Sequence, residues 1–235
     1  GDAGALLPAG RYWVVADTWV NASGTELSGS YTLTMGHTAP GDHTAWGLRA
    51  HVLDLALYVF DAAWFAGDPA RFDYIVVDFE LPSYQPRLWV LDLSTGALVY
   101  DEYVTHGIGS NSASDPAVAD TFSNTPDSLQ SSVGLIKTAE TYNGTYGYSM
   151  RLDGLEPGYT SNVRTRAIVV HPADYATQEF VDSYGYLGRS WGCYGLDPAI
   201  STDIIDATAN GTLLLSYYPM PAWLNGSTYL SGYRR

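Results

Sequence analysis

One cysteine, Cys193, and one lysine, Lys137, stand among the 235 residues of this chain. A single thiol excludes an internal disulfide and every paired-cysteine metal or redox motif. Cationic charge is scarce too, with 11 basic residues against 25 acidic ones and a net charge of −14. A surface of that sign repels phosphates, so no nucleic-acid partner is expected. Long hydrophobic runs are missing: LDLALYVFDAAWFAG (53–67) is broken by Asp54 and Asp61. No transmembrane segment is therefore expected. The first residues, GDAGALLPAG, lack a basic n-region and an adequate h-region, so the chain reads as mature or trimmed rather than as one opening on a signal peptide. HExxH and P-loop motifs are also wanting.

What is present is a core-forming composition, 46% hydrophobic and 14% aromatic, in a length suited to one large domain or one domain with a fragment of another. Residues 10–20 and 29–37 are β-branched and aromatic runs separated by turn-rich NASGTELSG. Two strands do not bury a core alone, so residues 1–45 form a short N-terminal β segment beside a main body at 46–235. Within 46–66, Leu48, Val52, Leu55, Val59 and Ala63 recur at helical period. Strand-like runs follow at 72–80, 86–94 and 97–107, with Ser-Thr-Gly as the hairpin turn between the last two. Residues 109–128 make a long Ser/Asn/Asp/Pro loop, a length more typical of functional loops. Strands are expected at 131–138, 146–155, 166–171 and 211–219, and helices at 173–185 and 198–211. The balance is mainly β with a few helices, an α+β fold.

Cys193 lies in GRSWGCYG (188–195), between glycines and beside Trp191. A cysteine nucleophile needs a base, a group to orient that base, and donors for an oxyanion. His171 closes the apolar run AIVVH, so a buried strand delivers its imidazole at a strand end. Strand, helix and return loop suffice to bring it to Cys193, 22 residues on. Gly192, without a side chain, lets the N–H groups of residues 192 and 193 face a substrate carbonyl. The alternative is a buried strand-capping histidine and an inert cysteine in a turn. His106, in VTHGIG, either lines the same cleft or bonds a loop carbonyl. His37 and His43 flank Asp42 in a spacing that fits no standard zinc pattern, and His51 falls in the first helix. No metal site is expected.

Residues 122–158, RAIVVHPADY (166–175) and LGRSWGC (187–193) together resemble the murein L,D-transpeptidase catalytic family, and more narrowly its branch with a Trp-Gly-Cys signature. DFELPSYQPRLWVLDLSTG (78–96) and THGIGS (105–110) are similar to that branch as well. The resemblance runs from about residue 50 to 218. Residues 10–37 more loosely resemble the closing strands of pre-peptidase C-terminal β-sandwich modules.

The family resemblance implies a β-sandwich or partial-barrel catalytic domain with the cysteine on a loop over the sheet. It implies that Cys193 thiolate, generated by His171, attacks the peptide carbonyl before D-alanine in a peptidoglycan stem. A thioester forms, and an acceptor amine resolves it into a 3–3 crosslink. Water in place of the amine gives carboxypeptidase activity. Gly192 supports the oxyanion, the Pro172 carbonyl orients His171, and Ser190 shapes the cysteine loop. Arg189 is a candidate cation for a substrate carboxylate or a structural ion pair. Trp191 and Tyr194 depart from the better-known branch and are expected to tune substrate choice. No cofactor is implied, the partner is peptidoglycan, and the substrate places the protein outside the cytoplasm. A different reading, an inactive wall- or glycan-binding module, draws on the 19 tyrosines and 7 tryptophans.

Overall fold

The computed structural model describes residues 45–233. The expected N-terminal β segment, with His37 and His43, lies outside these residues except for its last position. Helix α1, Ala50–Ala66, carries Val52, Leu55, Ala56, Val59, Phe60 and Ala63 on one buried face. The chain leaves it through Gly67 at φ 82°, a left-handed exit that glycine adopts without strain. The helix starts four residues later than its periodicity suggested. Residues before it are used otherwise: the Trp46 carbonyl accepts from Trp89 Nε1 at 2.8 Å, and Arg49 forks onto the Asp78 carboxylate.

Eight strands form one sheet: β1 (Asp73–Asp78), β2 (Leu88–Asp92), β3 (Ala97–Glu102), β4 (Gly134–Gly144), β5 (Gly147–Gly154), β6 (Val169–Pro172), β7 (Tyr194–Leu196) and β8 (Leu213–Tyr217). Their order is β3-β2-β1-β8-β4-β5-β6-β7. Only β1–β8 and β6–β7 pair in parallel. Side chains alternate between two cores, as the strand period of two requires. Tyr74, Val76, Trp89, Leu91, Leu135, Leu213 and Leu215 pack under α1. Ile75, Val77, Leu88, Val90, Ile136 and Leu214 face the other core, with helix α3 (Pro198–Thr208) and strands β5 to β7. The middle strand β8 is buried at every position, which its unbroken LLLSY run encodes.

The sheet curls around that second core until its edges meet. Beyond β3, Thr105 N–H donates to the Gly195 carbonyl, Ser190 N–H to the His106 carbonyl, and Ile108 N–H to the Ser190 carbonyl. Segment 104–108 thus joins the β3 edge to the β7 edge and fixes the loop holding Cys193. A buried ion-and-imidazole network stiffens it. Arg87, fully buried, donates to the Val104 and Leu81 carbonyls and lies 2.8 Å from His106 Nδ1. On the other side Glu156, also buried, accepts from Leu135 N–H and Trp223 Nε1, pinning helix α4 (Pro221–Gly226) to the β4 end.

The elements differ from those expected in several places. The helix expected over 173–185 shrinks to α2, Gln178–Tyr184. Ala173 N–H instead bonds the Leu196 carbonyl, extending the β6–β7 ladder, and Thr177 Oγ1 caps the helix from Phe180 N–H. Strand β7 and helix α4 were not anticipated. Three residues of Tyr-Gly-Leu carry too little pattern to read, and α4 forms only because Trp223 has a buried place to go.

Candidate active site

Strand β6 delivers His171 and β7 follows directly from Cys193. In the β6–β7 ladder His171 faces Gly195 and Val170 faces Tyr194. One step back in the same register, Cys193 lies opposite Val169. Strand alternation then turns Cys193 and His171 to one side, while Tyr194 and Leu196 turn into the inner core. A parallel pairing has brought together two residues that are 22 positions apart.

The His171 ring is buried, and its Nδ1 lies 2.8 Å from the Pro172 carbonyl. A carbonyl only accepts, so Nδ1 carries the proton and Nε2 holds the lone pair. Burial penalises the imidazolium and lowers the pKa from its ordinary 6.5, with the bond to Pro172 pulling the other way. Tyr146, at the tip of the β4–β5 hairpin and 60% exposed, stacks on the ring with centroids 4.9 Å apart.

Cys193 is half-buried. Its Sγ–H points to the Ala167 carbonyl at 3.7 Å. Burial raises the thiol pKa, partly offset by Val169 N–H and by the positive charge of Arg166. Both shifts favour the neutral forms, thiol and imidazole. Ala167 takes φ 54° to present its carbonyl there, an uncommon conformation for a residue with a Cβ.

The loop before the cysteine is braced by Ser190. Its hydroxyl donates to the Cys193 carbonyl at 2.7 Å and accepts from Gly192 N–H at 3.1 Å. This alters the expected oxyanion site, because the Gly192 N–H is already engaged by that hydroxyl. Glycine is nonetheless required at 192. With φ 114°, a Cβ there would sit 2.6 Å from the Gln130 carbonyl and 2.8 Å from Ile168 Cδ1. A Cβ on Gly107 would likewise strike the Leu129 carbonyl. The long 109–128 loop and its continuation to 131 are thus backbone-packed against the cysteine loop.

Arg166 holds that packing. Its guanidinium donates to the Ser123 carbonyl, Ser132 Oγ and Ser128 Oγ, and at 2.5 Å to the Gln130 carbonyl. Neither Arg166 nor Tyr146 stood out in the sequence. RAIVVH begins with the arginine, but nothing marks it as different from a surface charge. Tyr146 reads only as a hairpin aromatic.

The remaining expected site residues divide. Trp191 is 70% exposed beside the thiol loop, as a substrate contact needs. Arg189 lies over the Tyr186 ring at 5.3 Å, and among the described residues it forms no ion pair. His106 and Tyr194 do not fit the expectation of substrate contact, for both are buried. His106 is bonded on each ring nitrogen, by Arg87 at Nδ1 and Asn111 Oδ1 at Nε2. Burial and Arg87 together push its pKa down to about 3. Tyr194 packs on Phe79 within the inner core. Among the described residues no three His, Cys, Asp or Glu side chains gather as a metal site would require.

A cysteine and a carbonyl-oriented histidine on adjacent strands of a curled sheet define a candidate thiol acyl-transfer site. A family model described as the L,D-transpeptidase catalytic domain matches residues 46–217. The chain belongs to that family. Solved structures similar to it include an L,D-transpeptidase from Mycobacterium smegmatis, 13% identical with a TM-score of 0.39, the match covering 63% of this chain and 59% of that one. An L,D-transpeptidase from Mycobacterium tuberculosis H37Rv is 14% identical with a TM-score of 0.37, covering 63% and 58%. The chain thus spans less than two thirds of either structure. The comparison with curated proteins gives no match. The expected fold holds: a mainly β, half-barrel sheet with four helices among the described residues, and none of those helices is long and apolar enough to cross a membrane.

Proposed function

We propose that this chain is a cysteine-dependent L,D-transpeptidase acting on peptidoglycan stem peptides, with Cys193 as nucleophile and His171 as base. One observation carries the reading: the Pro172 carbonyl fixes the Nδ1–H tautomer of His171, and register turns its ring to the face that Cys193 occupies. Lowering of the imidazole pKa by burial keeps that base free of a proton near neutral pH.

His171 Nε2 takes the thiol proton as Sγ attacks the carbonyl that precedes D-alanine. The S–C bond forms, and the oxyanion is held by the Cys193 N–H at the end of the Ser190-braced loop. The tetrahedral adduct collapses, the C–N bond breaks, and the imidazolium returns its proton to the departing D-alanine amine. An acceptor amine then gives its proton to His171 and attacks the thioester, closing a 3–3 crosslink and freeing the thiol. Arg189 meets a substrate carboxylate, and Trp191 lies along the bound chain. The substrate lies outside the cytoplasmic membrane, so the protein is exported. Residues 46–235 form the catalytic unit.

Purified muropeptides with mass-spectrometric readout test this. Expected are a thioester on Cys193, released D-alanine and crosslinked dimers. D-Alanine without dimers makes the enzyme a carboxypeptidase. An unmodified Cys193, with products indifferent to His171→Ala, sinks the proposal. A carbapenem offers a second probe, since one structure similar to this chain is an L,D-transpeptidase in complex with imipenem. Its strained carbonyl should acylate Cys193 and leave Cys193→Ala unlabelled.

A further inference from the structure

A cleft of about 350 Å³ opens away from the thiol, between the 122–126 segment, the turn after β5 and Met220. Its size is at the lower end of small-molecule sites, roughly 300–1,000 Å³. No residue lining it is charged, although the chain carries a net charge of −14. Its walls are amides, hydroxyls and apolar faces: Asn124, Asn162, Ser123 and Thr125 against Phe122 and Tyr159. Such a surface suits a neutral polyhydroxylated ligand that also bears amides. Charged ligands would find no counter-ion there.

The walls are held before any ligand arrives. Asn162 N–H donates to Asn124 Oδ1 at 2.9 Å, and Asn162 Nδ2 to the Asn124 carbonyl at 3.0 Å. Asn124 Nδ2 in turn donates to Ser161 Oγ. Beyond these bonds, Asn124 keeps a second amide hydrogen and Asn162 its side-chain Oδ1. Tyr159 is anchored through its hydroxyl to the Ala222 carbonyl at 2.8 Å, and Phe122 stacks on Tyr218 at 4.5 Å. Fixed donors, acceptors and ring faces lose little entropy on binding.

The same loop that walls the cleft reaches the cysteine. Arg166 grips the Ser123 carbonyl at 2.7 Å and the Gln130 carbonyl at 2.5 Å, and the Gln130 carbonyl is the group that closes on Gly192. A ligand lying in the cleft would therefore be registered against the thiol through one guanidinium.

We propose that this cleft binds the N-acetylated sugar strand of peptidoglycan while the attached stem peptide reaches Cys193; the substrate class rests on the function proposed above. The sugar chain is neutral, hydroxyl-rich and amide-bearing, and it is covalently joined to the peptide. Binding it would raise the local concentration of stems at the thiol without touching the chemical step.

The test uses the β-1,4-linked trimer of N-acetylglucosamine, which contains no peptide, and nuclear magnetic resonance of the whole chain. Binding with a Kd of about 1 mM should move the side-chain amide signals of Asn124 and Asn162. Thr125→Tyr, at an exposed position on the rim, should weaken that binding about tenfold. It should also raise KM for a sugar-linked stem about tenfold relative to KM for the sugar-free stem. Unmoved Asn124 and Asn162 signals, or trimer binding equal in T125Y and the parent, overturn the assignment. Trimer binding without any thioester on Cys193 would defeat the catalytic proposal and leave the cleft standing. Thioester formation without trimer binding does the reverse.

Discussion

Two histidines in this molecule end strands or strand extensions, and both are buried, yet they do opposite work. His106 is sealed, with Arg87 at one ring nitrogen and Asn111 at the other. His171 is bonded at Nδ1 by the Pro172 carbonyl, and its ring is covered by the exposed Tyr146 rather than by core. Burial, reinforced by the cation beside it, drives the His106 pKa to about 3. His171 has only burial acting against its proton and a carbonyl acting for it. A buried imidazole saturated on both sides is a structural strut. One left with a lone pair facing a thiol's side of the sheet is free to act as a base, the role proposed for His171. The contrast teaches that partner count, more than burial, separates the two roles.

Breaking each histidine should separate them. His171→Ala should lower the rate of thioester formation about 10³-fold, in the range for loss of a general base, and shift the thermal midpoint little. His106→Ala should do the converse. It strands one N–H of Arg87 Nη2 and the Asn111 Oδ1, so denaturant unfolding should show a loss of about 3 kcal/mol.

The His106 comparison also has a pH signature. Its unfolded pKa is near 6.5 and its folded value about 3, so between these the unfolded chain binds a proton that the folded chain refuses. Stability thus falls as pH drops from 6.5 towards 3, by up to about 5 kcal/mol from this residue. Asp78 and Glu156, whose carboxyls burial raises, act with the opposite sign over part of that range. Chemical denaturation of His106→Gln at pH 7 and pH 4 should therefore show a smaller acid loss than the parent. An unchanged pH slope would mean that His106 is not the sealed imidazole described.

Around the proposed catalytic pair the expected effects are smaller. Ser190→Ala removes the bond to the Cys193 carbonyl and frees Gly192 N–H, and should lower kcat about tenfold, or about 1.4 kcal/mol, with KM little changed. The acid limb of the kcat/KM profile should lie below pH 6.5, because burial lowers the His171 pKa. Tyr146→Ala admits water to the ring, so that limb should move up by a few tenths of a pH unit. A limb that stays in place would make the stacked tyrosine irrelevant to the base.

Much of this was legible in the chain itself. Periodicity placed α1, the alternating strands and the buried β8, because an element that buries one or both faces must write that pattern in side chains. His171 at the end of AIVVH and the lone Cys193 were visible as candidates for the same reason: a strand end and a glycine-flanked turn are local features. Tyr194, expected to tune substrate choice, and His106, for which the cleft was one of two readings, are both buried. Whether a polar or aromatic residue near a motif faces solvent depends on which strand lies behind it, and segment 104–108 closes on β7 only after the sheet has curled. Arg166 and Tyr146 carry no local sign at all, since their partners lie on other elements. Local physics, acting within a few residues, determined the elements and nominated the pair. Tertiary packing alone decided that β6 and β7 run parallel and that Arg87 donates to the lone pair of the other histidine, His106.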